Sequence, residues 1–164
     1  MDAHTFRRVM GEFATGVTVL AARAGEVLHG MTANAFTSVS LHPPLVLVCV
    51  ANASRTKSVL DAAGRFAVSI LAHDQEEVAR VFSNPELDGF QRFRRVRWRA
   101  GRSGAPIIEG CLAYLESRVV ATYEAGDHTL YLGEVEHGDV PRPQDAPLLF
   151  FRRGYWILNG RGGP

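Results

Sequence analysis

Leu45-Val46-Leu47-Val48-Cys49-Val50 is an unbroken apolar run with valine at every second position, set between Pro43-Pro44 and Asn52-Ala53-Ser54. It is too short for a buried helix and rich in β-branched side chains, so it reads as a strand. No polar residue alternates with the apolar ones, which suits a strand buried on both faces. Upstream, Ala33–His42 is small and polar and runs into Pro43-Pro44, a mark of extended, irregular chain. Before it lie two strands, Val17–Ala22 and Val27–Thr32, joined as a hairpin through Arg23-Ala24-Gly25-Glu26. Phe6, Val9, Met10 and Phe13 recur at helical spacing, predicting an amphipathic helix over 5–14 that Gly16 stops.

Downstream of the run, a short helix is expected over Lys57–Ala63 with Gly64 as its stop, then a strand at Phe66–Leu71. Asp74 and Glu77 have capping-box spacing and predict a helix to about Phe82. Pro85 to Phe93 reads as loop. Val96, Trp98 and Ala100 alternate with Arg95, Arg97 and Arg99 as an exposed strand would, and Gly101–Gly110 is rich in turn residues. Cys111–Tyr123 and Thr129–Glu136 predict a long hairpin, and Leu148–Phe151 with Tyr155–Leu158 close the chain before a flexible tail over 158–164. About seven strands and three short helices indicate a predominantly β barrel with helices on its outside.

The 164 residues suit one domain, and 46% hydrophobic against 21% charged residues allow a sizeable core. A formal charge of +1 gives no global reason to expect nucleic acid or an acidic membrane as partner. Lys57 is the sole lysine among 18 basic residues. Cys49 and Cys111 fall in apolar runs and read as buried, reduced thiols; no Cys/His spacing suggests a metal. The N-terminus lacks the apolar stretch of a signal peptide and no 18-residue apolar run is present, so a cytoplasmic location is expected. No βαβ alternation and no glycine-rich nucleotide motif appears, which excludes a Rossmann domain and a P-loop.

Four stretches carry candidate chemistry. Gly30 to Ser40 is dominated by small side chains around Asn34, so backbone N–H groups can approach a flat ligand such as an isoalloxazine; a polar loop capping the barrel would look the same. Ser54-Arg55-Thr56 opens a predicted helix, where hydroxyls, free N–H groups and a guanidinium can hold a phosphate, although a plain N-cap accounts for the hydroxyls. Gly126-Asp127-His128-Thr129 sets His128 at a hairpin end, where a barrel rim meets a ligand, against a reading as a turn that only satisfies geometry. Arg92, Arg94, Arg95, Arg97, Arg99 and Arg102, interleaved with Phe93 and Trp98, read as a solvated strand face before an anion-docking or nucleic-acid surface.

Taken in order, these pieces resemble the flavin reductase family, the short reductase components of two-component flavin-dependent monooxygenases. The resemblance runs from Phe13-Ala14-Thr15-Gly16-Val17 through Met31-Thr32-Ala33-Asn34-Ala35-Phe36, Ser38-Val39-Ser40, Pro43-Pro44-Leu45 and Ser54-Arg55-Thr56. It continues through Gly64-Arg65-Phe66-Ala67-Val68, Trp98-Arg99, Gly104-Ala105-Pro106 and Gly126-Asp127-His128-Thr129 to Pro147–Tyr155.

The resemblance implies a mainly β chain, an FMN-binding split β-barrel with a few short peripheral helices, assembled as a homodimer with the flavin near the subunit interface. It implies FMN or FAD as flavin, NADH or NADPH as hydride donor, and a separate monooxygenase receiving reduced flavin. By position, Thr32, Ala33, Asn34, Ala35, Ser38 and Ser40 would line the ring and ribityl chain, and Ser54, Arg55 and Thr56 would hold the phosphate. Phe82 and Ser83 match a flanking Phe-small pair, His128 would face the reactive side, and Tyr155 would lie near the same pocket. The expected activity is an NAD(P)H:flavin oxidoreductase; the alternative is a non-catalytic FMN-binding split-barrel protein, a flavin carrier or sensor. A split-barrel oxidase of a phosphorylated vitamer would need a further cationic grip that the sequence does not place.

Overall fold

The structure, a computed structural model, describes residues 1–158, so the expected tail over 158–164 lies, apart from Leu158, outside the described residues. The chain order is α1 (Ala3–Gly11), β1 (Thr15–Gly16), β2 (Thr18–Ala24), β3 (Val27–Ala33), β4 (Phe36–Leu41), β5 (Pro44–Ala51), α2 (Arg55–Ala63), β6 (Arg65–Ile70), α3 (Glu76–Ser83), α4 (Gly89–Arg94), β7 (Trp98–Ala100), β8 (Pro106–Ile108), β9 (Ala113–Ala125), β10 (His128–Asp139), β11 (Leu148–Phe151) and β12 (Gly154–Ile157). Seven strands form one antiparallel sheet in the order β3-β2-β6-β9-β10-β5-β4. Its two edge strands, β3 and β4, are joined by Asn34 and Ala35 alone. So short a link forces the sheet to curl until its edges meet, and the wall closes there by chain continuity without a β3–β4 ladder. A second sheet, β1-β11-β12, flanks the barrel, and β7-β8 forms a two-stranded ribbon.

The long strands buried on both faces are β2 and its neighbour β6, not β5. Val46, Val48 and Val50 of β5 are buried, but Leu45, Leu47 and Cys49 between them are only half-buried. On β2, Leu20 and Ala22 face the barrel interior with Val48, Leu60, Phe66 and Tyr131. Val19 and Ala21 face outward under Phe82, Phe93 and Ile108. Helices α3 and α4 supply that outer cover, which the apolar run at β5 lacks. Of the thiols, Cys111 is buried as expected and Cys49 is not.

Other elements differ from expectation for local reasons. The segment read as irregular chain contains β4, whose small polar residues suit an edge strand paired only with β5. The predicted capping box at Asp74 does not form: Gln75 stands at the α3 N-cap, and the Asp74 carboxylate pairs with Arg142 at 2.8 Å. A capping box forms instead at Asp88 and Gln91, opening α4 where a loop was expected. Gly64 ends α2 as predicted, in the left-handed conformation at φ 61°, its N–H donating to the Leu60 carbonyl. The arginine run is not one strand face: Arg92 and Arg94 belong to α4, and Arg92 is buried, donating to the carbonyls of Gly30 and Asn84. Among the described residues no helix is long and apolar enough to cross a membrane.

Candidate functional site

The seam between β3 and β4 is where the sequence's candidates gather. Ala35, in the link, accepts a hydrogen bond through its carbonyl from the Cys49 N–H of β5 at 3.1 Å. Two residues on, Ala51 is the register partner of His128, the first residue of β10. Asn52 then fastens the β9–β10 hairpin tip: its N–H donates to the Asp127 carbonyl at 2.9 Å, and its side-chain oxygen accepts from the Thr129 hydroxyl at 2.7 Å. His128 therefore hangs beside the segment that starts α2. Its Nδ1 lies 2.7 Å from an Asp127 carboxylate oxygen, and that contact holds the Asp127 carboxyl below its ordinary value.

Ser54 caps α2, its hydroxyl accepting from the Thr56 N–H at 3.1 Å and lying 3.9 Å from the Met31 sulfur of β3. Arg55 is exposed at the first turn of α2 and has no ion pair among the described residues. A helix N-terminus with a free guanidinium attracts phosphate. The Thr56 side chain is not part of that surface. It is fully buried, its hydroxyl 2.9 Å from Nδ1 of His29. His29 read as incidental in the sequence, yet it is buried on β3 and pins that strand to the head of α2. Burial, then the charges of Arg92 and Arg55, push its value down to about 4, so the ring is neutral near pH 7.

On the other side of the seam, the Thr32 hydroxyl donates to the Ala79 carbonyl of α3 at 2.6 Å, and the Ala33 carbonyl accepts from the Thr18 hydroxyl. The next residue of α3, Arg80, lies over the Tyr155 ring at 5.2 Å, so α3 brings Tyr155 and Thr32 to one place. Asn34, Phe36 and Thr37 line a cleft of about 420 Å³ with Phe13, Thr15 and Thr18. The buried Thr15 hydroxyl in that cleft has no partner among the described residues.

Four further expected contacts are not assembled here. The Phe82 ring is in the core, edge-to-face on Phe93 at 5.1 Å, so its side chain braces α3 and offers no surface to a ligand. Ser83 is exposed, its hydroxyl donating to the Arg80 carbonyl. Ser38 and Ser40 run along β4 away from His128, opposite Val46 and Leu45, with the Ser40 hydroxyl accepting from the His42 N–H.

A β-barrel with an unladdered seam, small exposed residues at that seam, a capped helix N-terminus and a histidine on the rim are the features that place this chain among the split-barrel proteins. The flavin reductase-like domain model matches residues 10–158. Over 156 residues the chain is 40% identical to the reductase subunit HsaB of a flavin-dependent monooxygenase from Mycobacterium tuberculosis, covering 94% of this chain and 82% of that one. It is 40% identical to the reductase component of 4-hydroxyphenylacetate 3-monooxygenase from Thermus thermophilus, covering 92% and 93% of the two chains. Among solved structures, the NADH:FAD oxidoreductase SgcE6 of Streptomyces globisporus, in complex with NAD and FAD fragments, superposes with a TM-score of 0.92 at 42% identity over 99% of this chain and 96% of that one. The chain belongs to the flavin reductase-like family.

Proposed function

We propose that this chain takes a hydride from NADH, reduces FAD or FMN with it, and releases the reduced flavin to a separate monooxygenase. It is an NADH-dependent flavin reductase by its relationship to proteins of that activity over most of its length. The observation that carries the reading is the seam itself: Asn34 and Ala35, Ser54 and Arg55, and His128 converge on it through the Ala35–Cys49 and Asn52–Asp127 hydrogen bonds.

The residues present suit a flavin. Asn34 and Ala35 are exposed and small, so nothing blocks close approach of a ring to their backbone groups, and the unpartnered Thr15 hydroxyl offers a polar contact in the adjoining cleft. When bound, a flavin accepts a hydride on its ring system and carries it away as reduced flavin. The chain's own part is to bind and orient. The α2 N-terminus with Ser54 and Arg55 holds phosphate by partial and full positive charge. His128, its ring fixed by Asp127, contacts the reacting face and positions the donor. Thr56 contributes through His29, setting where α2 begins. Tyr155 of β12 and Thr32 of β3, both in contact with α3, flank the ring end.

The chain acts as a homodimer. Helix α1 buries none of its residues; Phe6, Val9 and Met10 are exposed on it, and Phe13 is exposed just beyond its end. An apolar face of that size is normally covered by a partner surface.

The test is NADH oxidation by the purified chain with FAD, FMN or no flavin added. A flavin-dependent rate is expected; stoichiometric flavin binding with no donor oxidation would replace the reductase by a flavin carrier.

A further inference from the structure

We propose that Tyr131, acting through Asp61, is a positioning residue for flavin binding: it fixes the direction in which the head of α2 presents Ser54 and Arg55. This rests on the reductase reading and deepens it. Helix α2 is pinned to both sides of the seam. On one side stands β3, where His29 meets the buried Thr56 hydroxyl at 2.9 Å and the Met31 sulfur lies 3.9 Å from the Ser54 hydroxyl. On the other stands β10, laddered through β5 to β4, from which the Tyr131 hydroxyl donates to an Asp61 carboxylate oxygen at 2.5 Å. The second Asp61 oxygen accepts from Lys57, one turn back on the helix, at 2.7 Å. With Lys57 so engaged, Arg55 is the one cation of the first turn without an ion pair among the described residues.

Tyr131 heads the fully buried side chains by size, and its ring packs in one cluster with Val59, Leu60 and Phe66. A phenylalanine would make the same apolar contacts, so what the hydroxyl adds is direction. Burial pushes that hydroxyl up to about 12, and it stays a donor at neutral pH. Against the desolvation of its site, the bonds from Lys57 and Tyr131 hold the Asp61 carboxyl below its ordinary value, and it stays an acceptor.

Apolar contacts through Val59 and Leu60 seat α2 on the barrel, but such contacts are non-directional. Held by a hydrogen bond at Thr56 alone, the helix is free to swing about that point. The pin at Asp61 lies about 7.5 Å further along the axis and removes the swing. A hydrogen bond weakens steeply as its donor turns away from the acceptor, so the angle of the helix head decides how well it grips a phosphate. Tyr131 touches no ligand in this arrangement; it acts at the far end of the helix whose near end does.

The experiment titrates riboflavin, FMN and FAD into wild type, Tyr131→Phe, Asp61→Ala and the double variant, following flavin fluorescence. Riboflavin carries the ring without the phosphate. Tyr131→Phe keeps the ring packing and leaves Asp61 paired with Lys57, so it folds, which a thermal melt checks. In that variant the affinity for FMN and FAD is expected to fall about tenfold, with riboflavin held within about twofold. In the Asp61→Ala background the same substitution changes nothing further, because the contact is already gone. Equal weakening of all three flavins in Tyr131→Phe overturns the proposal, since a loosened barrel does that; so does unchanged FMN and FAD affinity. A second tenfold loss in the Asp61→Ala background overturns the route through Asp61. A wild type that binds FMN and FAD no better than riboflavin overturns the proposal at its root. If wild type shows no flavin-dependent NADH oxidation, the reductase reading fails by itself, and the flavin titrations still decide the role of Tyr131.

Discussion

His128 sits at the start of β10 with its ring held by Asp127 and its backbone in register with Ala51. If it positions the donor, His128→Ala lowers kcat/KM for NADH by roughly 10- to 100-fold, with a smaller change in flavin affinity. Wild-type kinetics in a folded His128→Ala protein would leave Gly126–Thr129 as a turn and nothing more. His29 makes a different kind of prediction. Folding lowers its value from 6.5 to about 4, so the unfolded chain takes up the proton first as the medium acidifies. The contribution of the neutral ring is complete above pH 6.5 and is lost as pH falls toward 4, by up to about 3 kcal/mol. Thermal midpoints measured between neutral pH and about 4.5 should therefore fall further for wild type than for His29→Gln. Equal falls would place the acid sensitivity elsewhere. Ser54 and His128 were legible as candidates because capping residues and hairpin tips leave local signals. His29 and Asn52 were not: their partners Thr56 and Thr129 lie 27 and 77 residues away, and the packing of α2 on β3 brings the first pair together and the β5–β10 register the second.

At the scale of elements, β2 and β5 show what a local pattern can and cannot say. Both read as strands, and both are. Which one is buried on both faces depends on where α3 and α4 pack, and no window of sequence contains that choice. The same limit explains Asp74 and Asp88: each had the chemistry of a cap, and a long-range pair with Arg142 took the first. Gly133 marks a position where the barrel wall has no slack. A Cβ there would stand 2.5 Å from the Phe66 ring and 2.8 Å from the Ser117 Cβ, beside a register shift in the β9–β10 ladder. Gly133→Ala should cost on the order of 1–3 kcal/mol, read as a lower urea midpoint. A midpoint equal to wild type would mean that β6 and β9 can yield.

Across the described residues, several large apolar side chains stand exposed. Phe13 is 68% exposed on the approach to the Asn34 cleft, and Trp156 is 54% exposed on β12. Sedimentation should give a dimer at micromolar concentration, and Phe13→Glu should shift it toward monomer with loss of activity; a fully active wild-type monomer would refute the assembly. Seen at this scale, the Asn34-Ala35 link is a tether. Every other neighbouring pair of strands round the wall is fastened by a ladder, so a rise in the spacing of any of them breaks backbone hydrogen bonds. Between β3 and β4 no such bond has to break. Along that one line the wall is held by two residues of chain and the Ala35–Cys49 hydrogen bond, while the rest of the barrel is fastened by ladders. Lengthening the tether would loosen that line and leave the ladders untouched.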